Sequence, residues 1–199
     1  MGTGWKEDEY RAYGYNFPSA RVRIEQLEEA LQIIKALWHQ EQVTFQGKHY
    51  QVANAYCEPQ PDPYPPILVG GSKSRILRVV ARHADWWNVS WTGISSYRPQ
   101  VQECEQACYE VGRDPKTLRR TWFGPCICSA TEAKVRELNA KQISTDQGFI
   151  GTPGQVIEQM QQFIDVGVNY FMLNCLDFPN LTTLELLVNE VLPTLNRNN

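Results

Sequence analysis

The chain has 199 residues and a mass of 22.9 kDa, 42% hydrophobic and 21% charged, with a formal net charge of −3. Its 19 basic and 22 acidic residues leave no overall electrostatic footprint for nucleic acid. No run of about 18 apolar residues offers a membrane span, and six Trp, nine Tyr and seven Phe exclude a disordered chain.

The first residues, Met1 to Tyr10, lack the basic-then-apolar order of a secretory signal. The six cysteines include no C-x-x-C pair. Cys104 and Cys108 share one side of a helical pattern, and Cys126 and Cys128 one face of a strand. With no His or Cys companion at zinc spacing, these read as small buried hydrophobes, and no metal site is expected. A reducing cytoplasmic compartment suits them.

In chain order, Phe17-Pro18-Ser19 punctuates the start of a helix in which Ile24, Leu27, Leu31, Ile34 and Leu37/Trp38 recur at steps of three and four. Glu25, Glu28 and Glu29 read as its solvated face. Val43 to Val52 alternates about Gly47, which predicts a small hairpin. Pro59, Pro61, Pro63, Pro65 and Pro66 then exclude helix. Ile67-Leu68-Val69, ended by Gly70-Gly71, reads as a strand buried on both faces, and Ser72 as the cap of the helix that follows.

Trp86 to Ser90 is the next predicted strand. A helix then opens at Ser95/Ser96 with Tyr97, Val101, Cys104, Cys108 and Val111 in register. Thr121 to Cys128 predicts a third strand, and Thr131 caps a helix with Val135 and Leu138. Thr152-Pro153-Gly154-Gln155 carries a cap residue, Pro at the first helical position and the Gln of a capping box. Tyr170 to Asn174 is a fourth strand, and a last helix presents Leu181, Leu184, Val188 and Val191/Leu192. Strand followed by helix, four times over, predicts a parallel α/β sheet. No G-x-G-x-x-G opens any unit, so barrel geometry is favoured over a dinucleotide-binding sheet.

Gly70-Gly71-Ser72 is the most informative loop. Glycines at the carboxyl end of a strand let a ligand approach the backbone, and the helix behind them offers free amides and a positive dipole end. An anion such as phosphate suits that place, helped by Lys73 and Arg75, although a ligand-free strand-to-helix turn has the same pattern. Gly2-Thr3-Gly4-Trp5 is a second glycine-rich turn. There Gly4 would let a cofactor ring lie close and Trp5 would supply an apolar wall, while a Trp packed on a neighbouring helix fits equally. His39, His49 and His83 stand near no Ser, Cys or paired acid and read as structural or solvated. Asn88 either points into the mouth of the barrel or satisfies a backbone group.

Several ordered strings carry a resemblance. They are Gly2 to Gly14, Leu27 to Ile34 with Leu37-Trp38, Val43 to Tyr50, Pro65 to Gly71, Ala81 to Asn88 and Ile150 to Gln155. Together they resemble the luciferase-like monooxygenase family, in particular its branch of oxidoreductases dependent on the deazaflavin coenzyme F420.

The resemblance implies a (β/α)8 TIM barrel with Ile67–Val69 as about the fifth strand. Gly70, Gly71 and Ser72 would lie beside the cofactor's phosphate, with Gly4 and Trp5 beside its ring at the end of the fourth strand. It implies F420, or alternatively FMN, a small organic substrate, no nucleic-acid or membrane partner, and a homodimer as the common assembly. Relatives usually carry a third Gly where Ser72 stands, and Trp5 replaces the acid of the sugar-phosphate-oxidising branch, so that activity is not carried over.

A whole barrel needs about 250 residues. Residues 1–199 are therefore expected to form a single partial domain, an incomplete barrel of about four βα units plus the end of a preceding strand. The expected function is a flavin- or deazaflavin-dependent oxidoreductase in truncated form, with no catalytic residue assigned. The rival expectation is a non-catalytic half-barrel remnant that binds cofactor weakly or associates with a partner.

Overall fold

The computed structural model describes residues 1–139 and 143–197. A short helix α1 (Glu7–Ala12) precedes the long α2 (Ala20–His39), whose first turn is capped by the Ser19 hydroxyl accepting from Val22 N–H. Strands β1 (Val43–Gln46) and β2 (Gln51–Ala55) form the expected antiparallel hairpin. The acids of α2 are not simply solvated, as the sequence suggested. Glu29 accepts three backbone N–H groups, from Lys48, His49 and Tyr50, at 2.8–2.9 Å. Glu25 binds Arg21, Lys48 and His49, and Glu28 binds Arg82 and His83. A turn must satisfy its amides somewhere, and α2 supplies carboxylates at the right spacing. These acids therefore clamp the hairpin and the next helix to α2.

The parallel sheet begins with β3 (Leu68–Gly70), followed by α3 (Ser74–His83) and β4 (Trp86–Ser90). Next come α4 (Ile94–Glu110) and the ten-residue β5 (Arg119–Cys128). Helix α5 (Glu132–Leu138), β6 (Phe149–Gly151), α6 (Pro153–Ile164) and β7 (Val168–Cys175) complete the sheet and its cover. The chain ends in α7 (Thr182–Leu186), a wide turn over Leu187–Val191 and α8 (Leu192–Arg197).

All pairings within the sheet of β3 to β7 are parallel, and the four predicted βα units are present. β3, β4, β5 and β7 lie side by side as part of a barrel. Cys126 pairs with both Phe149 and Cys175, so β6 and β7 occupy opposite edges of β5, and β6 continues the edge that β4 leaves after Ser90. Beside β3 the main chain of Met1 takes a strand position, its carbonyl accepting from Gly70 N–H at 2.9 Å.

The core lies between this sheet and α3, α4 and α6. Trp87, Trp122, Tyr97, Phe149 and Met160 are fully buried there, and the Trp122 and Phe149 rings meet at 4.4 Å. The other face of the sheet is polar at its centre. Thr121 Oγ donates to Asn88 Oδ1 at 2.9 Å, and Asn88 Nδ2 donates to Ser90 Oγ at 3.0 Å. Lower on that face the Arg119 guanidinium lies over the Trp86 and Tyr170 rings, 4.7 and 5.1 Å from their centroids.

Four local expectations are corrected. Ser72 does not cap α3; Lys73 holds that position, and no side chain accepts there. α4 starts at Ile94 behind Gly93, and Val111 falls outside it and is exposed. β6 had not been expected at all. In the last helix Leu181, Leu184, Val188 and Leu192 are exposed, while Thr183, Leu187, Val191 and Leu195 are buried. Apolar residues surround this segment, so periodicity selects no single face. The wide turn falls just before Pro193, which lacks the N–H that a regular helix would need.

Candidate functional site

The carboxyl end of β3 carries the turn that the sequence singled out. Gly70 N–H is used by the Met1 carbonyl, and Gly71 N–H by the Asn88 carbonyl at 3.0 Å. Gly71 C=O accepts from the Trp87 indole at 2.7 Å. The two glycines are therefore tied into the sheet, and the amides free to meet a ligand lie one step further on. Among the described residues, the N–H groups of Ser72, Lys73, Ser74 and Arg75 have no hydrogen-bond partner. They head a ten-residue helix with no acid in its first turn, which leaves the positive end of the helix dipole uncompensated.

The two glycines differ in what they permit. Gly71 has φ +134°, and a Cβ on it would lie 3.0 Å from Ile76 Cγ2, so a side chain is excluded by the protein's own packing. A Cβ on Gly70 would find nothing nearer than 3.9 Å. The bare surface of Gly70 thus answers no internal crowding and opens onto the space in front of the turn. That space is a cavity of about 430 Å³ lined by Thr3, Gly70, Gly71, Ser72, Lys73 and Arg75, with Ala20 and Ile24 of α2 as a wall. Ser72, Lys73 and Ser74 also open a crevice of about 910 Å³ between α3 and α4.

Gly4 and Trp5 line neither space. Gly4, at φ +71°, is covered by Tyr10, whose ring and hydroxyl would meet an added Cβ, and Trp5 is 85% exposed. The residue of this turn that reaches the Gly70–Ser72 rim is Thr3, held from behind by Arg23 Nε donating to its carbonyl at 3.1 Å. Thr3, Ala20 and Ile24 were not singled out from the sequence, and only the position of Thr3 between two glycines hinted at a place near a ligand.

The three histidines have structural partners. His49 meets Glu25 at 2.9 Å and His83 meets Glu28 at 3.2 Å. His39 bonds the Lys35 carbonyl and stacks on Tyr64. Asn88 has both ends of its amide satisfied and keeps only 7% of its surface exposed. Burial pushes the Cys104 thiol up to about 12 and Cys128 to about 11, and it also raises Cys126, so none is a thiolate at neutral pH. No group of three or more His, Cys, Asp or Glu among the described residues could hold a metal ion. No described helix is long and apolar enough to cross a membrane.

The family model for luciferase-like monooxygenases matches residues 1–149. An FMNH(2)-dependent dimethylsulfone monooxygenase of Pseudomonas fluorescens is 23% identical over 88% of this chain and 59% of its own length. An F420-dependent glucose-6-phosphate dehydrogenase of Intrasporangium calvum is also 23% identical, over 98% of this chain and 69% of its own. Among solved structures, an F420-dependent secondary alcohol dehydrogenase in complex with an F420-acetone adduct superposes with a TM-score of 0.83 at 18% identity, covering 98% of this chain and 68% of that one. The chain spans about six-tenths of the length of the dimethylsulfone monooxygenases it matches. With a family match over three-quarters of its residues and the same parallel α/β scaffold, the chain belongs to the luciferase-like monooxygenase family.

Proposed function

We propose that this chain serves an oxidoreductase that holds a phosphate-bearing cofactor, F420 or alternatively FMN, against the carboxyl end of β3 and acts on a small organic substrate. The observation that carries the reading is the row of four unpartnered amides from Ser72 to Arg75, facing a cavity that Lys73 and Arg75 also line. A phosphate there would accept from those amides at the helix N-terminus and meet two cationic side chains. The bare face of Gly70 leaves room for close approach, and the Ser72 hydroxyl adds a donor. Gly71 shapes the turn rather than touching the ligand.

Gly4 and Trp5 join the same reading as the flank nearest a cofactor ring, which requires the Tyr10 side chain to swing off Gly4. When bound, F420 supplies hydride transfer and FMN supplies the activation of O₂, while the protein contributes orientation, phosphate anchoring and exclusion of water. The relatives use one cofactor or the other, and F420 is the one proposed here because the motif strings resemble that branch. The six cysteines are free, which suits a reducing cytoplasm.

A second reading has its own support. The turn holds no acid–base pair or nucleophile, so the chain could bind cofactor without turning over a substrate. Titrating the purified chain with F420 and with FMN separately, and following cofactor fluorescence, tests the first reading. A saturable change with F420 that inorganic phosphate weakens is expected. No saturable change with either cofactor would overturn it, and binding without hydride transfer to any small alcohol or carbonyl would favour the second.

A further inference from the structure

A second cleft adjoins the cavity at the β3 turn. It has a volume of about 300 Å³, lies between α2 and α3, and is lined by Arg21, Arg75, Arg78 and Arg82 together with Glu25 and Glu28. Arg75 and Ile24 line both spaces, so the cleft opens from the cavity at the head of α3. The two helices run in the same sense there. Ala20 and Ile24 share the cavity with Ser74 and Arg75, while further along Glu28 meets Arg82 at 2.9 Å. Arg75, Arg78 and Arg82 follow one another at steps of three and four on one side of α3, over about 10 Å.

The acids of the cleft do not balance its arginines. Glu25 is already bound by Arg21, Lys48 and His49, and Glu28 by Arg82 and His83. Arg78 has an exposed contact with Glu110 of α4 at 3.8 Å, which is worth little in water. Arg75 makes no ion pair among the described residues, and α3 contains no acid. In a chain of formal charge −3 this is a local surplus of positive charge. It begins at the residue that already lines the phosphate cavity.

We propose that the ligand anchored at the β3 turn carries a second anionic group beyond its phosphate, and that this extension leaves the cavity over Arg75 and lies along the α2–α3 cleft against Arg78 and Arg21. The inference rests on the phosphate reading above and narrows its choice of cofactor. FMN ends at its phosphate and would not reach the cleft. F420 continues past its phosphodiester into a chain of carboxylates, and a dinucleotide flavin continues into a second phosphate. Either extension supplies the negative charge that the cleft lacks. Exposed arginines hold such a group by charge more than by fixed geometry, so the gain is modest and sensitive to salt.

The test compares ligands that differ only past the phosphate, by fluorescence titration of the purified chain. One pair is F420 with several glutamates against the same deazaflavin phosphate without them, and the other is FAD against FMN. At low ionic strength the longer member of at least one pair is expected to bind about tenfold more tightly. A gain in the first pair identifies a carboxylate chain, and a gain in the second a further phosphate. Arg78→Glu should abolish that gain while the shorter ligands bind as before, and Arg21→Gln should reduce it. The second variant serves should the first alter the far-UV circular dichroism. At about 1 M salt, where the screening length is about 3 Å, the gain should vanish in the wild type. Equal affinities within both pairs, or a gain that survives both substitutions, would overturn the cleft and leave the phosphate reading standing. No saturable binding by any of the four ligands would overturn the phosphate reading, and this inference with it.

Discussion

Two glycine-rich turns looked alike in the sequence, and the structure separates them. Gly70-Gly71-Ser72 leads into a ten-residue helix whose first amides are unpartnered, and a cavity opens in front of it. Gly2-Thr3-Gly4-Trp5 leads into the six-residue α1, its second glycine lies under Tyr10, and its Trp stands in solvent. Glycine content alone therefore says little about a ligand. What distinguishes the first turn is the pairing of strand end and helix start, which spends the glycine amides on the sheet and leaves the helix amides over.

The sharpest way to break that contrast is Gly71→Ala. The residue would need φ +134° and would press its Cβ on Ile76 at 3.0 Å. A loss of about 1–3 kcal/mol is expected, read as a lower denaturant midpoint at unchanged slope. Gly70→Ala is the control, since its Cβ meets nothing within 3.9 Å, and its loss should stay below about 0.5 kcal/mol. Equal midpoints for both variants would show that the turn is not strained in the way described.

Lys73→Glu addresses the ligand instead of the scaffold. Lys73 makes no ion pair among the described residues and lines both the cavity and the crevice. Its reversal should weaken F420 or FMN binding by about tenfold and leave the unfolding midpoint in place. Unchanged affinity in the face of that reversal would move the phosphate elsewhere. Gly4→Ala should cost about 1 kcal/mol through its φ of +71° alone, because Tyr10 is the end of a flexible side chain that can swing clear. If cofactor affinity fell as far in Gly4→Ala as in Lys73→Glu, the two turns would be equal partners in the site after all.

Much of this was legible from the sequence. The four βα units and the hairpin follow from periodicity and punctuation, and the Thr152-to-Gln155 helix start from its capping box, in which Gln155 accepts from Thr152 N–H at 2.9 Å. β6 escaped because three residues, all buried, are too few to show alternation. In the last helix Val191 is buried as predicted, but Leu181, Leu184 and Val188 are exposed and Leu187 and Leu195 are buried in their place, because apolar residues fall on two sides of it and only packing chooses between them. The strand-to-helix turn lies at the end of β3 as the sequence predicts, but its unpartnered amides begin at Ser72 rather than at the glycines. No local pattern reveals that Asn88 and Met1, distant in sequence, take the glycine amides. The Glu25–Glu29 clamp was hidden for the same reason, since its hairpin partners lie 19 to 24 residues on and the Arg82 and His83 partners of Glu28 lie 54 and 55 on.

Acid gives the mildest test. Lys48, His49 and Arg21 hold the Glu25 carboxyl down at about 2. Desolvation opposes the charged form of Glu29, but the amides of His49, Tyr50 and Lys48 outweigh it and keep its pKa below the ordinary value. A carboxylate whose folded pKa is depressed stabilises fully above the unfolded pKa and loses that contribution as pH falls through the folded one. The hairpin should therefore loosen from α2 as pH drops below the usual glutamate range towards about 2. The turn at Gly70 is held by backbone carbonyl acceptors, and the turn at Thr3 by Arg23 on a carbonyl, so neither depends on a carboxylate that acid would protonate. Hydrogen exchange should show the Lys48–Tyr50 amides opening first, with those of β3 and β4 still protected. Glu29→Gln should reproduce part of that opening at neutral pH. Hairpin amides that stay closed at pH 2 would mean that β1 and β2 are held by their own pairing rather than by the acids of α2.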